Sequence, residues 1–231
     1  MLHWLGLVTA VSLLAGPALA WLSVVRPIVG FGLFALGGLG AVVIAVLSIV
    51  RAARGHGMSL GGWLAIATGA VFMTIASRGA GIPAINDFTT DPADPPAFVH
   101  AGSLPENAGR DLAYPPRFAE VQRACCADLR PARLSVGREE AFARVRGAAA
   151  RMPAWRITST DRDAGTIEAV ATTALFHFQD DIVIRVRPEG GDASRVDMRS
   201  KSRDGKGDIG ANAARIRAFV AALEAPTSGT P

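Results

Sequence analysis

The first 78 residues of this 231-residue chain contain no Asp, no Glu and no Lys; their charged side chains are Arg26, Arg51, Arg54 and Arg78. A segment so poor in charge cannot present a water-facing surface, which excludes an ordinary soluble domain at this end. Cysteine is confined to the neighbours Cys125 and Cys126. Adjacent residues bridge only through a strained ring, so a disulfide framework is excluded and the pair reads as two small residues at or near the core. The histidines, His3, His56, His100 and His177, are scattered, and no CxxC or HExxH is present; the spelling GxSxG occurs at residues 57–61, in the loop before an apolar run and not after a strand as a nucleophile elbow requires. Common metal centres are thereby excluded, and no cofactor is expected. Lys201 and Lys206 are the only lysines among 24 basic residues, a bias expected of a GC-rich bacterium.

All 20 acidic residues lie after Arg78, beside the other 20 basic ones, so the C-terminal part is formally neutral. The net charge of +4 comes from the four N-terminal arginines. It is a topology signal and not the basic surface of a nucleic-acid binder, and no nucleic-acid partner is expected.

What the N-terminal third does contain is three apolar runs, about residues 2–25, 28–50 and 60–76. Each is long enough for a transmembrane helix, the last at the short end of the range. Ala18-Leu19-Ala20 resembles a signal cleavage site, yet Met1 to Trp4 carries no Lys or Arg, and a second apolar run follows at once. A retained helix is the expectation. The spans hold no ionisable residue in their interiors, so no proton relay or transport path is expected. Arg51 and Arg54 make the short loop after the second run the most basic one. The positive-inside rule then places it in the cytoplasm and the large domain on the periplasmic side of a bacterial inner membrane. Gly37, Ala41 and Ala45, and likewise Gly61, Ala65 and Gly69, recur every four residues. Such faces suit a self-contained bundle, or homo-oligomerisation through the same faces.

Residues 79–130 form a Pro- and Asp-rich connecting segment without clear periodicity. Asp87, Asp91 and Asp94 lack the spacing of a calcium loop and read as solvated turn formers. Between Asn86 and Asp111 there are five acids and one arginine, whereas Arg195 to Arg217 carries seven basic and three acidic residues. Docking of the segment on the basic end, by Asp87 or Asp91 on Arg199, Arg203 or Arg215, is therefore expected, helped by burial of Ile85, Phe88 and Phe98.

From about residue 131 to 225 the pattern is α+β. Phe142, Val145, Ala149 and Met152 mark an amphipathic helix over 138–152. Strands are expected at 155–160, 166–178, 181–187 and 195–200, with a turn at Gln179-Asp180, and His177 facing away from its aromatic neighbours. Ile182, Ile184, Val186, Val196 and Met198 point inward, while Arg185, Arg187, Asp197 and Arg199 point outward. Asp208 caps a last helix with an apolar stripe of Ile209, Ala213, Ile216, Val220 and Leu223. The fold class is thus an N-terminal bundle of three transmembrane helices followed by a four-stranded antiparallel sheet packed by two helices.

Four runs carry a family resemblance: IPAINDFTTDPADPPAF (82–98), Tyr114-Pro115, FQDDIVIRVRP (178–188) and RVDMRSKSRDGKGDIGANAARIRAF (195–219). Together, over about residues 82–223, the chain resembles the DUF1499 proteins of bacteria and plastids, a grouping of unknown function. The resemblance implies no activity and no cofactor. It implies that Asp87, Asp91, Arg199, Ser202, Arg203, Asp208, Asn212 and Arg215 belong to a shared pattern, and these eight are the candidate binding residues. The expected role is a non-enzymatic binding or scaffold module of the cell envelope. Its partners would be the lipid bilayer and, through an Arg-lined sheet face and the 199–215 region, an anionic ligand or envelope protein. The alternative is a membrane-anchored enzyme of unrecognised type built around Asp87, Asp91, Arg199, Arg203 and Asn212.

Overall fold

The computed structural model describes residues 2–77 and 79–225. Arg78, one of the flanking arginines and the expected domain boundary, lies outside the described residues. The chain forms two compact units, residues 1–81 together with 173–178, and residues 82–172 together with 179–231.

The first unit holds α1 (Leu2–Trp21), α2 (Pro27–Ala53) and α3 (Leu60–Ser77), each long and apolar enough to cross a membrane. Helix α1 stops short of Val25: Ser23 takes a left-handed φ of 57° and the chain turns into Pro27, whose ring suits a first helical position. Helix α2 runs past Val50, and Arg51 in its last turn complements the carbonyl end of the helix dipole. The small-residue faces are buried inside this unit, with Ala41 and Ala65 fully covered. Gly6 and Gly61 meet backbone to backbone, so a Cβ on Gly6 would stand 2.0 Å from the Gly61 carbonyl oxygen. Threonine hydroxyls in these helices bond back to the preceding turn, as Thr68 does to Leu64 O at 2.8 Å.

The segment Thr173–Phe178 groups with these helices. Phe176 is buried, with ring centroids 5.5 Å from Phe31 and 5.6 Å from Phe34. The expected strand over 166–178 therefore ends at Thr172. His177 is not a strand residue: it has φ 57° in the connection that follows.

The second unit is built on an antiparallel sheet of six strands, not four: β1 (Asp87–Thr89), β2 (Ala132–Leu134), β3 (Trp155–Asp161), β4 (Thr166–Thr172), β5 (Gln179–Pro188) and β6 (Ser194–Ser202). Strands β3, β4, β5 and β6 form a meander. The free edge of β6 is then covered in two pieces, β1 against Arg199 to Lys201 and β2 against Ser194 to Val196. Backbone groups along a long strand need partners on both sides when buried, and these two short strands supply them. Gln179 and Asp180 lie within β5 and do not form a turn.

One sheet face carries the apolar core. Phe88, Ile167, Ile182, Ile184, Val186, Val196 and Met198 pack with Phe142, Val145 and Ala149 of α5 (Arg138–Arg151) and Ile216 and Phe219 of α6 (Ala211–Glu224). Trp155 stacks on Phe219 with centroids 5.6 Å apart. The connecting segment is not structureless. It contains β1, two 3₁₀ turns (His100–Ser103 and Pro105–Asn107) and a further helix, α4 (Pro116–Cys125), which begins on a proline and docks Phe118 in the core. Ile85 and Phe88 are buried as the docking expectation requires, and Phe98 is half-buried.

The final helix starts at Ala211, not at Asp208. Gly210 takes φ 81° and Ile209 φ 53°, so Ile209 turns outward and is exposed, leaving the core stripe to Ala213, Ile216 and Phe219, with Val220 and Leu223 partly buried.

Candidate functional site

The second face of the sheet is charged and nevertheless buried. Alternation along β6 puts Arg195, Asp197, Arg199, Lys201 and Arg203 on the side away from α5 and α6. Asp197 is 0% exposed and Arg199 2%, so the residues expected to face solvent form an inner layer. Residues 90–113 cover them, supplying carboxylates and backbone carbonyls where a buried guanidinium needs acceptors.

Asp87 and Arg199 form the centre. The carboxylate of Asp87 accepts from Arg199 Nε at 2.9 Å and Nη2 at 2.7 Å, and from Lys201 Nζ at 3.0 Å. Arg199 also donates to the carbonyls of Pro96 (3.2 Å) and Leu112 (2.7 Å). Its guanidinium carbon lies 4.7 Å from the Phe98 ring centroid and 5.5 Å from that of Tyr114, a cation held between two π-faces. Phe98, Leu112, Tyr114 and Arg199 line a cleft of about 340 Å³ with Pro95, Ala97 and Ala113. Burial, and next the nearby Asp87 carboxylate, push the Tyr114 phenol well above its ordinary value.

Asp181 on β5 is the neighbour of Lys201 across the ladder. It accepts from Arg203 Nε (3.0 Å) and Nη2 (2.7 Å), Arg110 Nη1 (2.9 Å) and Asn107 Nδ2 (3.1 Å). Around Asp87 and Asp181, four cations (Arg110, Arg199, Lys201 and Arg203) meet two carboxylates, a formal surplus of two positive charges. Further along the same face Asp197 gathers Arg185, Arg187 and Arg195, with Asp94 and Asp91 completing the balance from the covering segment. The arginines expected to greet an outside partner are thus engaged internally. Hydrogen bonds from Arg187 and Arg185 hold the Asp94 carboxyl below its usual range. Glu168, buried on β4, accepts the backbone N–H groups of Val99, His100 and Ala101 at 2.8, 2.8 and 2.7 Å, which pins the first 3₁₀ turn.

The remaining candidates sit on the other face, under α6. Arg215 Nη2 donates to Asp180 at 2.6 Å and Nη1 to Asn212 Oδ1 at 2.7 Å. Ser200 Oγ donates to the same Asn212 oxygen at 2.6 Å, and Asn212 Nδ2 donates to Ser202 Oγ at 2.9 Å. Asp208 accepts from Gly210 N (2.9 Å) and Asn212 N (2.6 Å), capping the helix start. Burial outweighs those bonds and raises its carboxyl above the ordinary value.

The eight candidate residues therefore divide. Asp87, Asp91, Arg199 and Arg203 belong to the covered charged face; Ser202, Asp208, Asn212 and Arg215 to the helix side. The five residues of the enzyme alternative are not drawn into one cavity, and the cleft takes only Arg199 from them. Asp87, expected as a solvated turn former, is 0% exposed. Lys201, Asp181, Arg110 and Glu168 were not among the candidate site residues, and Phe98 and Tyr114 were named only for burial and for the family pattern. The available signal was a period-two run of charges, Asp197-Arg199-Lys201-Arg203, beside Asp181-Val183-Arg185-Arg187. Among the described residues no group of three His, Cys, Asp or Glu side chains is placed to hold a metal ion.

A family model described as a protein of unknown function, DUF1499, matches residues 87–223. No curated protein and no solved structure matches the chain.

Proposed function

Since the chain belongs to the DUF1499 family, whose description assigns no activity, we propose its role from the site itself: a membrane-anchored, non-catalytic binding module for a small acidic ligand with an apolar body. The observation that carries this is the Phe98–Arg199–Tyr114 arrangement, a guanidinium between two rings at the wall of a 340 Å³ cleft. Four of the five guanidinium N–H groups are accounted for by Asp87, Pro96 and Leu112, which leaves one on Nη1 for an acidic or carbonyl oxygen. The surplus positive charge around Asp87 and Asp181 favours an anion, and the apolar walls favour a flat or aliphatic body.

Chemistry in the cleft has little to draw on. Its one titratable side chain besides Arg199 is Tyr114, whose raised pKa keeps the phenol protonated near neutral pH and unsuited to proton transfer there. The basic Arg51–Arg54 loop supports a multi-pass protein of an inner membrane, with the α+β domain on the periplasmic side.

The test is mass spectrometry of small molecules released from the detergent-purified full chain, compared with Ala97→Trp, which fills the cleft from an exposed position, and Phe98→Ala. An acidic compound present in the parent and depleted in both variants is the expected result. Identical small-molecule content in all three proteins would sink the proposal.

A further inference from the structure

The helical unit has a second concave feature, at its basic loop end, that the α+β domain does not explain. A cleft of about 600 Å³ is lined by Arg51, Arg54 and His56, by the polar groups of His3 and Ser48, and by apolar walls that include Leu47 and Met58. Its cations lack acidic neighbours in sequence, because the first carboxylate in the chain is Asp87. In a membrane helix a serine hydroxyl ordinarily donates to the carbonyl one turn back, as the threonines Thr9, Thr68 and Thr74 do at 3.0, 2.8 and 2.9 Å. Ser48 departs from this habit. Its Oγ is buried, with the residue 4% exposed, and has no hydrogen-bond partner. A buried hydroxyl without a partner costs free energy and calls for a ligand atom.

His3 adds a directed donor. Its Nδ1 accepts the Gly61 N–H at 3.2 Å, which places the proton of the neutral ring on Nε2. Arginine forks, an imidazole N–H and a hydroxyl donor around one hollow match a phosphate, which offers only acceptor oxygens and negative charge. The apolar walls distinguish the source. Leu47 and Val50 are exposed on a helix whose outer surface faces hydrocarbon, so the cleft joins a charged mouth to a greasy wall, which suits an amphiphile and not a free ion.

We propose that this cleft is a phosphate site for an anionic phospholipid, with Arg51, Arg54, His3 and Ser48 on the headgroup and acyl carbons along Leu47 and Val50. The full chain would be reconstituted in an equal mixture of phosphatidylglycerol and phosphatidylcholine, re-extracted in a non-ionic detergent, and its retained lipids counted by native mass spectrometry. Expected is retention of phosphatidylglycerol over phosphatidylcholine by about tenfold or more, lost in the Arg51→Gln/Arg54→Gln variant. Ser48→Ala leaves every charge in place and should still lower retention several-fold, while raising the Tm of the delipidated protein by removing the unpaired hydroxyl. Equal retention of the two lipids, or enrichment unchanged in the arginine variant, would overturn the site. Full enrichment in Ser48→Ala would show only diffuse surface attraction and would also overturn it. Millimolar inorganic phosphate that strips the retained lipid would overturn the lipid assignment and leave a bare phosphate site.

Discussion

Asp87 on β1 reaches diagonally to Arg199 on β6, two positions from its ladder partner Lys201, in a two-point ion pair, Nε to Oδ1 at 2.9 Å and Nη2 to Oδ2 at 2.7 Å, with side chains 0% and 2% exposed. The pair joins residues 112 positions apart and fixes the covering segment on the charged face. A pair so buried is coupled to everything around it: the same carboxylate holds Lys201, and the same guanidinium holds Pro96 and Leu112.

Removing one partner should therefore cost far more than cutting an exposed pair. Asp87→Ala leaves Arg199 and Lys201 buried without their carboxylate, and a loss of about 3–5 kcal/mol is expected. Asp128→Ala, which breaks the exposed pair with Arg217 (57% and 45% exposed), should change stability by about 1 kcal/mol or less. Denaturant melts of both variants in detergent, followed by tryptophan fluorescence, check the contrast; equal losses would contradict it.

The docking of the acidic segment was legible because it followed from two opposite local charges and from Ile85 and Phe88, which had to be buried somewhere. The three apolar runs were legible from length and want of charge, and α5 and the inward set on β5 and β6 from period. Strands β1 and β2 were not, since three residues carry no period and become strands only because β6 has an edge to fill. Gln179-Asp180 read as a turn before a strand that begins at Asp181, because acids such as Asp180 are rare in strands. What lets them sit in one is tertiary: Arg215 on one face, Arg110 and Arg203 on the other. The charged face itself was misassigned outward because alternation tells which residues share a face, never what covers that face.

The Thr173–Phe178 connection sets a limit on dissecting the chain. A fragment of residues 82–225 carries Phe176 and Phe178 away from Phe31 and Phe34, their ring partners. The fragment should fold yet self-associate, and Phe176→Ser/Phe178→Ser should render it monomeric by size-exclusion chromatography with light scattering. A monomeric unmodified fragment at high concentration would show that these rings find other cover.

Topology gives a binary outcome. If the Arg51–Arg54 loop is held in the cytoplasm, the one span that follows it, α3, carries the C-terminus to the other side. Alkaline phosphatase fused after Pro231 should be active in a bacterial host, and a green fluorescent reporter at the same point dark. The reverse pattern would refute a periplasmic domain.

Two carboxylates should give the stability profile opposite slopes at acid pH. Asp94 is held below its ordinary value of 3.8 by hydrogen bonds from Arg187 and Arg185. The folded state then binds its proton less readily than the unfolded chain, so the stability it contributes is present above the unfolded pKa and is lost as pH falls through the folded one. Asp208 is raised above 3.8, with burial as the largest cause and the Asn212 and Gly210 N–H groups opposing. There the folded state takes up its proton first, so this group penalises folding at neutral pH, and the penalty fades as pH drops through the raised value. Asp208→Asn keeps one of the two oxygens that accept Gly210 N and Asn212 N and removes the desolvated charge; with burial the larger effect, it should raise Tm near neutral pH and leave less relief on acidification. Asp94→Asn should lower Tm slightly at neutral pH and flatten the loss below about pH 4. Melting curves from pH 7 down to pH 3 separate the two, and an Asp208→Asn protein less stable than the parent at neutral pH would mean that the charge strengthens the cap by more than its burial costs.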